Sequence, residues 1–274
     1  MRELQCHTFG TTMFHLPDES GMDETNRGYR PELAEVYNEW VGALGRGDVD
    51  FYAGLAGVAD GPVLELACGT GRVYLELLRA GVDADGFDLS AGSLDRLRET
   101  ADDEGLEPTV WRDDMADFAV EREYALAVCP FNTFLHLRGS ENQLACLRQV
   151  YDALAPGGEF VFEVFVPDFD VICETYGEWE TNEVEFRGEP HELRTRTRIT
   201  DEVEQEFTVE NKLLGPEGEV VFLDEHRLAM LSKREVELLA RLSPFEDWHV
   251  AGDYDGSAIS DGDSKQIWTL RKAE

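Results

Sequence analysis

The chain has 274 residues, 58 Asp and Glu against 24 Lys and Arg, and a formal net charge of −34. A chain of that length buries about 70–75% of its unfolded surface and needs no covalent staples, and 42% apolar with 10% aromatic content excludes wholesale disorder. No stretch approaches the roughly 18 uninterrupted apolar residues of a membrane span, and residues 1–21 show no basic start followed by an apolar run, so a cytoplasmic protein without a secretory signal is expected.

Residues 1–28 are polar and aperiodic, read as a flexible extension, with Met22 a possible alternative start. One domain is expected over 29–274. From Pro31, Leu33, Val36, Tyr37, Trp40, Val41 and Leu44 fall at helical spacing. Alternation of strands and helices follows. Pro62 to Ala67 reads as a buried strand, Cys68-Gly69-Thr70-Gly71 as a turn, and Arg72 to Arg79 as a helix closed by Gly81. Ala84 to Asp88 is a second strand, and Ser90 caps a helix to about Thr100. Thr109 to Trp111 and Tyr124 to Cys129 are the third and fourth strands. Ser140 and Gln143 form a capping box for a helix to about Leu154, Pro156-Gly157-Gly158 breaks it, and Glu159 to Val166 is the fifth strand. Near-continuous apolar strands between helices argue an α/β, doubly wound parallel sheet covered on both faces.

After residue 180 the period changes to two. Arg194 to Thr200, Val203 to Leu213 and Glu219 to Ala229 predict an antiparallel insert of three or four strands within 180–229. Ser232 and Glu235 then cap a helix to about Leu242, and two closing strands lie near Phe245 to Ala251 and Lys265 to Leu270. The five cysteines (6, 68, 129, 146 and 173) are odd in number and form no C-x-x-C pair, so reduced thiols are expected. The six histidines lack ligand spacing, and no metal is expected.

Three local patterns carry chemistry. Gly69 and Gly71 leave the turn's backbone open to a ligand, and free N–H groups at the following helix start favour electron-rich groups. A dinucleotide site would want a third glycine at position 74, which is Tyr74. Asp88, ending the second strand, can accept both hydroxyls of a ribose. Asp114 beside Met115 can take an exocyclic amine while the neighbour packs on the ring. Together, Glu65-x-Ala67-x-Gly69-x-Gly71, Asp88, Asp114-Met115 and Pro156-Gly157-Gly158 resemble the class I S-adenosylmethionine-dependent methyltransferases over about residues 31–166. Ala67 replaces the first glycine of that family's motif.

The resemblance implies a Rossmann-like sheet of seven strands, the last antiparallel, with the insert between strands five and six as a substrate lid. It implies S-adenosylmethionine as cofactor, held by Glu65, Ala67, Cys68, Gly69, Thr70, Gly71, Asp88, Leu89, Asp114, Met115, Cys129 and Phe131. Asn132 and His136 fall beside the expected methyl site, His136 being a candidate catalytic base. Tyr29 and Tyr37 fall where an N-terminal helix lids the cofactor. Arg196, sharing a strand face with Arg194 and Arg198, is a candidate anion contact for the substrate. Structural alternatives stand beside these: Asp88 as a helix cap, Asp114 as a surface acid, Glu65 as an orienter of the turn, His136 as a packed ring, and the arginines as a ladder against Glu204, Glu206 and Glu210. Asp253-Tyr254-Asp255-Gly256 borders the substrate mouth or is a solvated turn.

The expected function is methyl transfer to a nitrogen or oxygen of a small molecule, by a monomer or homodimer. A protein or nucleic-acid methyltransferase, or a non-catalytic binding module, is the alternative. Cys129-Pro130-Phe131-Asn132 matches only part of the Asn/Asp-Pro-Pro-Tyr pattern of amide and adenine methylation, and the acidic charge opposes nucleic-acid binding. Only Lys212, Lys233, Lys265 and Lys272 are lysines, and the acids run the whole length. That texture resembles proteins of halophilic organisms, whose salt screens self-repulsion. Circular dichroism and the melting temperature should therefore deteriorate between molar and millimolar KCl; equal values would remove the halophilic reading.

Overall fold

The computed structural model describes residues 32, 33, 35, 36 and 47–274. Of the helix expected from Pro31, residues 32, 33, 35 and 36 are helical and Leu33 and Val36 are buried. Tyr29, Tyr37 and the 1–28 extension lie outside the described residues.

The elements are α1 (Gly47–Val58), β1 (Val63–Leu66), α2 (Tyr74–Arg79), β2 (Ala84–Asp88), α3 (Ala91–Glu104), β3 (Thr109–Arg112), β4 (Tyr124–Cys129), a 3-10 turn (Thr133–His136), α4 (Ser140–Ala153), β5 (Leu154–Phe165), α5 (Phe169–Thr175), β6 (Glu180–Phe186), β7 (Glu189–Asp201), β8 (Glu206–Leu214), β9 (Val220–Ala229), α6 (Lys233–Leu242), β10 (Asp247–Ala251) and β11 (Lys265–Arg271). Seven strands form one sheet in the order β10-β11-β5-β4-β1-β2-β3, with β1 to β5 parallel and β11 antiparallel to both neighbours. The strand order reverses between β1 and β4, so a crevice opens there at the carboxyl edge.

Both faces of the sheet are covered. Val63, Leu126 and Val128 face a core built with Tyr52 of α1, Leu77 of α2 and Leu97 of α3. Leu64, Leu66, Ala127 and Cys129 face the opposite core, with Leu147 and Val150 of α4 and Leu239 of α6. Strands buried on both sides cannot show polar alternation, which is why they read as continuous apolar runs.

The insert is a four-stranded antiparallel sheet, β6-β7-β8-β9. One face buries Val184, Phe186, Leu193, Leu213 and Phe222 around Leu33 and Val36. Phe207 of β8 and Ala229 of β9 join the main core, with the Phe207 ring 5.6 Å from Phe165 at the end of β5.

Four expectations are corrected. Helix α1 was not anticipated: three glycines lower its propensity, and its apolar residues run around the cylinder without a stripe. Helix α5, capped by Asp168, was also missed. No Ser140–Gln143 capping box forms: Gly139 is the N-cap with φ 75°, and Gln143 is buried, its Nε2 donating to Leu137 O at 2.8 Å. Strand β5 begins at Leu154, its register with β4 shifting before Glu159. The Ser232–Glu235 box forms as expected, the Ser232 amide donating to Glu235 Oε2 at 2.7 Å.

Tyr74 explains its own departure from the dinucleotide pattern. Its hydroxyl donates to Ala84 O at 2.9 Å and accepts the Thr109 amide at 3.0 Å, tying α2 to β2 and β3. The room is provided by Gly86, where a Cβ would lie 3.1 Å from Cys68 Sγ and 3.2 Å from Tyr74 Cδ2. The small residue has moved from helix to strand. Tyr74→Phe removes a partner from the buried Ala84 carbonyl and from the Thr109 amide and should cost about 1–3 kcal/mol in a denaturant melt at molar KCl.

Candidate active site

The turn after β1 is shaped by left-handed backbone. Ala67, Gly69 and Gly71 have φ of 50°, 57° and 88°. At Gly71 a Cβ would strike Leu75 Cγ at 2.8 Å and Leu97 Cγ at 2.9 Å, so packing demands glycine there. Around Gly69 the nearest atom to such a Cβ is Asp88 Oδ2 at 3.9 Å, so this side of the turn stands open to a ligand. Ala67 adopts the strained region where the family motif has glycine, at a cost of about 1–2 kcal/mol.

Asp88 clamps this turn. Its Oδ2 accepts the Gly69 amide at 2.9 Å and its Oδ1 the Ser90 amide at 2.7 Å. The capping alternative is thus realised in part, and lone pairs remain for a ligand hydroxyl. Burial pushes its pKa up, opposed by these two amides. Leu89 is half-buried beside it, and Thr70 and Cys68 are buried. Burial raises the Cys68 and Cys129 thiols well above their usual range.

Glu65 is 3% exposed, and its Oε2 has no hydrogen-bond partner. Burial lifts its pKa to about 8, against the pull of Arg72. Arg72 itself pairs with Asp48 of α1, NH1 to Oδ1 at 2.9 Å and NH2 to Oδ2 at 2.5 Å, and lies 4.9 Å over the Phe131 ring. Asp114 closes a small turn, its Oδ1 accepting the Ala116 amide at 2.9 Å. Met115 Sδ lies 4.0 Å from Cys129 Sγ, bringing the third-strand pattern to the end of β4.

Phe131 and Asn132 follow β4 with φ of 55° and 60°, an uncommon conformation for two successive non-glycine residues. They line a cavity of ≈330 Å³ with Asp48, Glu163, Tyr254 and Lys265. The Phe131 amide donates to Glu163 Oε1 at 2.9 Å, and the Tyr254 hydroxyl to Glu163 Oε2 at 2.6 Å. Of the two alternatives for Asp253 to Gly256, Tyr254 takes the cavity wall while Asp253 is exposed. Glu163 escaped the sequence reading, although a lone acid inside Phe160 to Phe165 was a signal. Asp48 and Tyr52 had none, since only folding brings α1 to this edge.

His136 does not line the cavity. It is half-buried on the 3-10 turn with its ring 6.0 Å from His226 of β9, whose Nε2 lies 2.7 Å from Asp224 Oδ2. Burial and His226 lower its pKa to about 4, so it is neutral at pH 7. Arg196 stands opposite Glu210 in the β7–β8 register and bonds it at 2.6 Å; Arg198 bonds the same carboxylate at 2.9 Å, and Arg194 pairs with Glu192 of its own strand. Arg196 and Arg198 therefore form a charge ladder at Glu210, and Arg196 also covers Trp179. Glu206 instead pairs with Arg138.

The chain is similar in sequence and fold to known proteins. A family model described as a methyltransferase domain matches residues 63–158. A dTDP-3-amino-3,4,6-trideoxy-alpha-D-glucopyranose N,N-dimethyltransferase from Streptomyces venezuelae is 29% identical over 144 residues, 49% of this chain and 58% of the relative. The chain thus matches little more than half of that protein's length. A cypemycin N-terminal methyltransferase from Streptomyces sp is 26% identical over 215 residues, 77% of this chain and 82% of the relative. Among solved structures, the CcbJ methyltransferase from Streptomyces caelestis superposes with a TM-score of 0.71 at 26% identity, covering 89% of this chain and 97% of that one.

The chain therefore carries a match to a methyltransferase domain within a fold shared with solved methyltransferases. The match covers residues 63–158, and the cavity is completed from outside it by α1, the end of β5 and the β10–β11 loop.

Proposed function

We propose that this enzyme transfers a methyl group from S-adenosylmethionine to the nitrogen of a small-molecule amine. One observation carries the reading: the glycine turn with its acids and the acid-lined cavity meet at Phe131, at one carboxyl edge. The two relatives are named for N,N-dimethylation of an amino-substituted glucopyranose and for an N-terminal methyltransferase. The second name supports a peptide's terminal amine as a second reading, since it presents the same nitrogen.

S-adenosylmethionine supplies a sulfonium-activated methyl when bound. The residues present fit it. The open side of the Gly69–Gly71 turn would lie against its amino-acid part, the orphaned Glu65 Oε2 would meet its ammonium, Asp88 beside Leu89 would take the ribose hydroxyls, and Asp114 with Met115 would take the adenine. Cys129 and Phe131 floor the crevice. The protein's work is then orientation, which contributes up to about 7–11 kcal/mol when nucleophile and leaving group are held in line. Asn132 borders the acceptor. We read His136 as a neutral contact between the 3-10 turn and β9, because it faces the insert and its pKa is too low for an efficient base at pH 7. We read the insert as the substrate lid and the acidic surface as an adaptation to salt.

Release of S-adenosylhomocysteine at molar KCl tests the function. Aminosugars and small primary amines should give turnover; turnover confined to hydroxyl acceptors would overturn the assignment of nitrogen. The Glu65 role predicts proton linkage. With a free-state pKa of about 8, Glu65 is mostly protonated at pH 7. An ammonium seated against it stabilises the anion, lowers that pKa and expels the proton. Calorimetry with S-adenosylhomocysteine in buffers of different ionisation enthalpy should show close to one proton released at pH 7, and little in Glu65→Gln.

A further inference from the structure

We propose that Glu163, positioned by Tyr254, is the residue that docks the acceptor's ammonium group and takes its proton. The proposal rests on the N-methyl transfer reading and names the group that would serve it.

Glu163 is 4% exposed in a strand that is otherwise apolar from Phe160 to Phe165. Each carboxylate oxygen holds one donor, the Phe131 amide or the Tyr254 hydroxyl, where a carboxylate can accept about four hydrogen bonds. No salt bridge reaches Glu163 among the described residues. The other acid of the cavity, Asp48, is neutralised by Arg72, and the nearby cation, Lys265, is bonded to Asp253 at 3.3 Å and lies over the Tyr254 ring at 4.0 Å. A buried acid with no cation bonded to it, Lys265 acting on it only at a distance, is destabilising unless a ligand supplies the charge.

Tyr52 of α1 lies behind the cavity lining, in the core. It is fully buried, its hydroxyl has no hydrogen-bond partner, and it feels the charges of Glu163, Tyr254 and Asp48 around the cavity. A polar guest offering N–H donors would satisfy the remaining lone pairs of Glu163. A protonated amine is such a guest, whereas a carboxylate or phosphate would be repelled.

The step balances. The docked ammonium passes one proton to the Glu163 carboxylate and becomes a neutral amine. Its lone pair forms the nitrogen–carbon bond as the carbon–sulfur bond breaks, with that electron pair staying on sulfur. The positive charge moves from sulfur to the methylated nitrogen, and the carboxyl later returns its proton to solvent. Burial raises the pKa of Glu163, which brings it closer to that of the amine. The groups facing it are Tyr254 from the β10–β11 loop, Asp48 and Tyr52 from α1, Cys129 from β4 and Lys265 from β11.

The test uses the full chain at molar KCl with S-adenosylmethionine and benzylamine, 2-aminoethanol and glucosamine as probes. Glu163→Gln should lower kcat/KM by about 100-fold or more, the range for loss of a general base, and flatten the acidic limb of the pH profile. Its affinity for S-adenosylhomocysteine should stay within about twofold. Tyr254→Phe removes a hydrogen bond to the anion and should move that limb to higher pH. Turnover by Glu163→Gln with an unchanged profile would overturn the proposal. Benzylammonium binding to the S-adenosylhomocysteine complex separates the two readings. Binding by wild type that is lost in Glu163→Gln supports the docking role even where no amine is turned over, which would count against methyl transfer to nitrogen instead. Equal binding by both proteins, or none by wild type, would overturn it.

Discussion

The hydrogen bond from the Gly69 amide to Asp88 is the contact on which the site depends. It joins the turn after β1 to the end of β2, and the other oxygen of the same carboxylate takes Ser90 at the start of α3. The turn needs that hold because Ala67, Gly69 and Gly71 all sit in the left-handed region within five residues. An alanine among them carries strain of order 1 kcal/mol or more, which the surrounding contacts must offset. The Cys68 amide adds a second tie to Phe87 O at 2.9 Å. With the turn held this way, its open side faces the reversal point of the sheet.

The second constraint is electrostatic. Glu65, Asp88 and Glu163 are carried on β1, β2 and β5, and burial raises the pKa of each. Arg72 is committed to Asp48 and stands over Phe131 between the two ends of the crevice. The result is a region whose charge is incompletely balanced by the protein. The proposed reading puts a cationic group at each end, one on the methyl donor and one on an amine acceptor, to match that imbalance. Perturbed carboxylates gathered in a crevice are a recognised mark of functional sites.

Packing carries these side chains into place. The Tyr74 and Gly86 exchange keeps α2 tight on β2 while leaving the glycine turn intact. The insert docks through Phe207 against Phe165, beside the strand that bears Glu163. The antiparallel β11 sits between β5 and β10, so the β10–β11 loop returns Tyr254 to the carboxyl edge.

Much of this protein was legible in its residues. Apolar runs, capping residues and the change to period two marked the α/β order and the insert, because those signals act within a few residues. The turn after β1 and the acid ending β2 lie where the residues placed them for the same reason: turn and strand-end geometry is local. Helix α1 was missed because its glycines and unstriped apolar residues conceal a segment stabilised by tertiary burial. The histidine beside the expected methyl site turned toward β9, and Arg196 and Arg198 turned toward Glu210, choices made by neighbours distant in sequence. Only the tertiary structure could place Tyr254 on Glu163, 91 residues away, or Asp48 on Arg72. Local sequence determines which segments become strands and turns; the order in which those strands lie side by side decides which buried acid meets which partner, and so where the uncompensated charge falls.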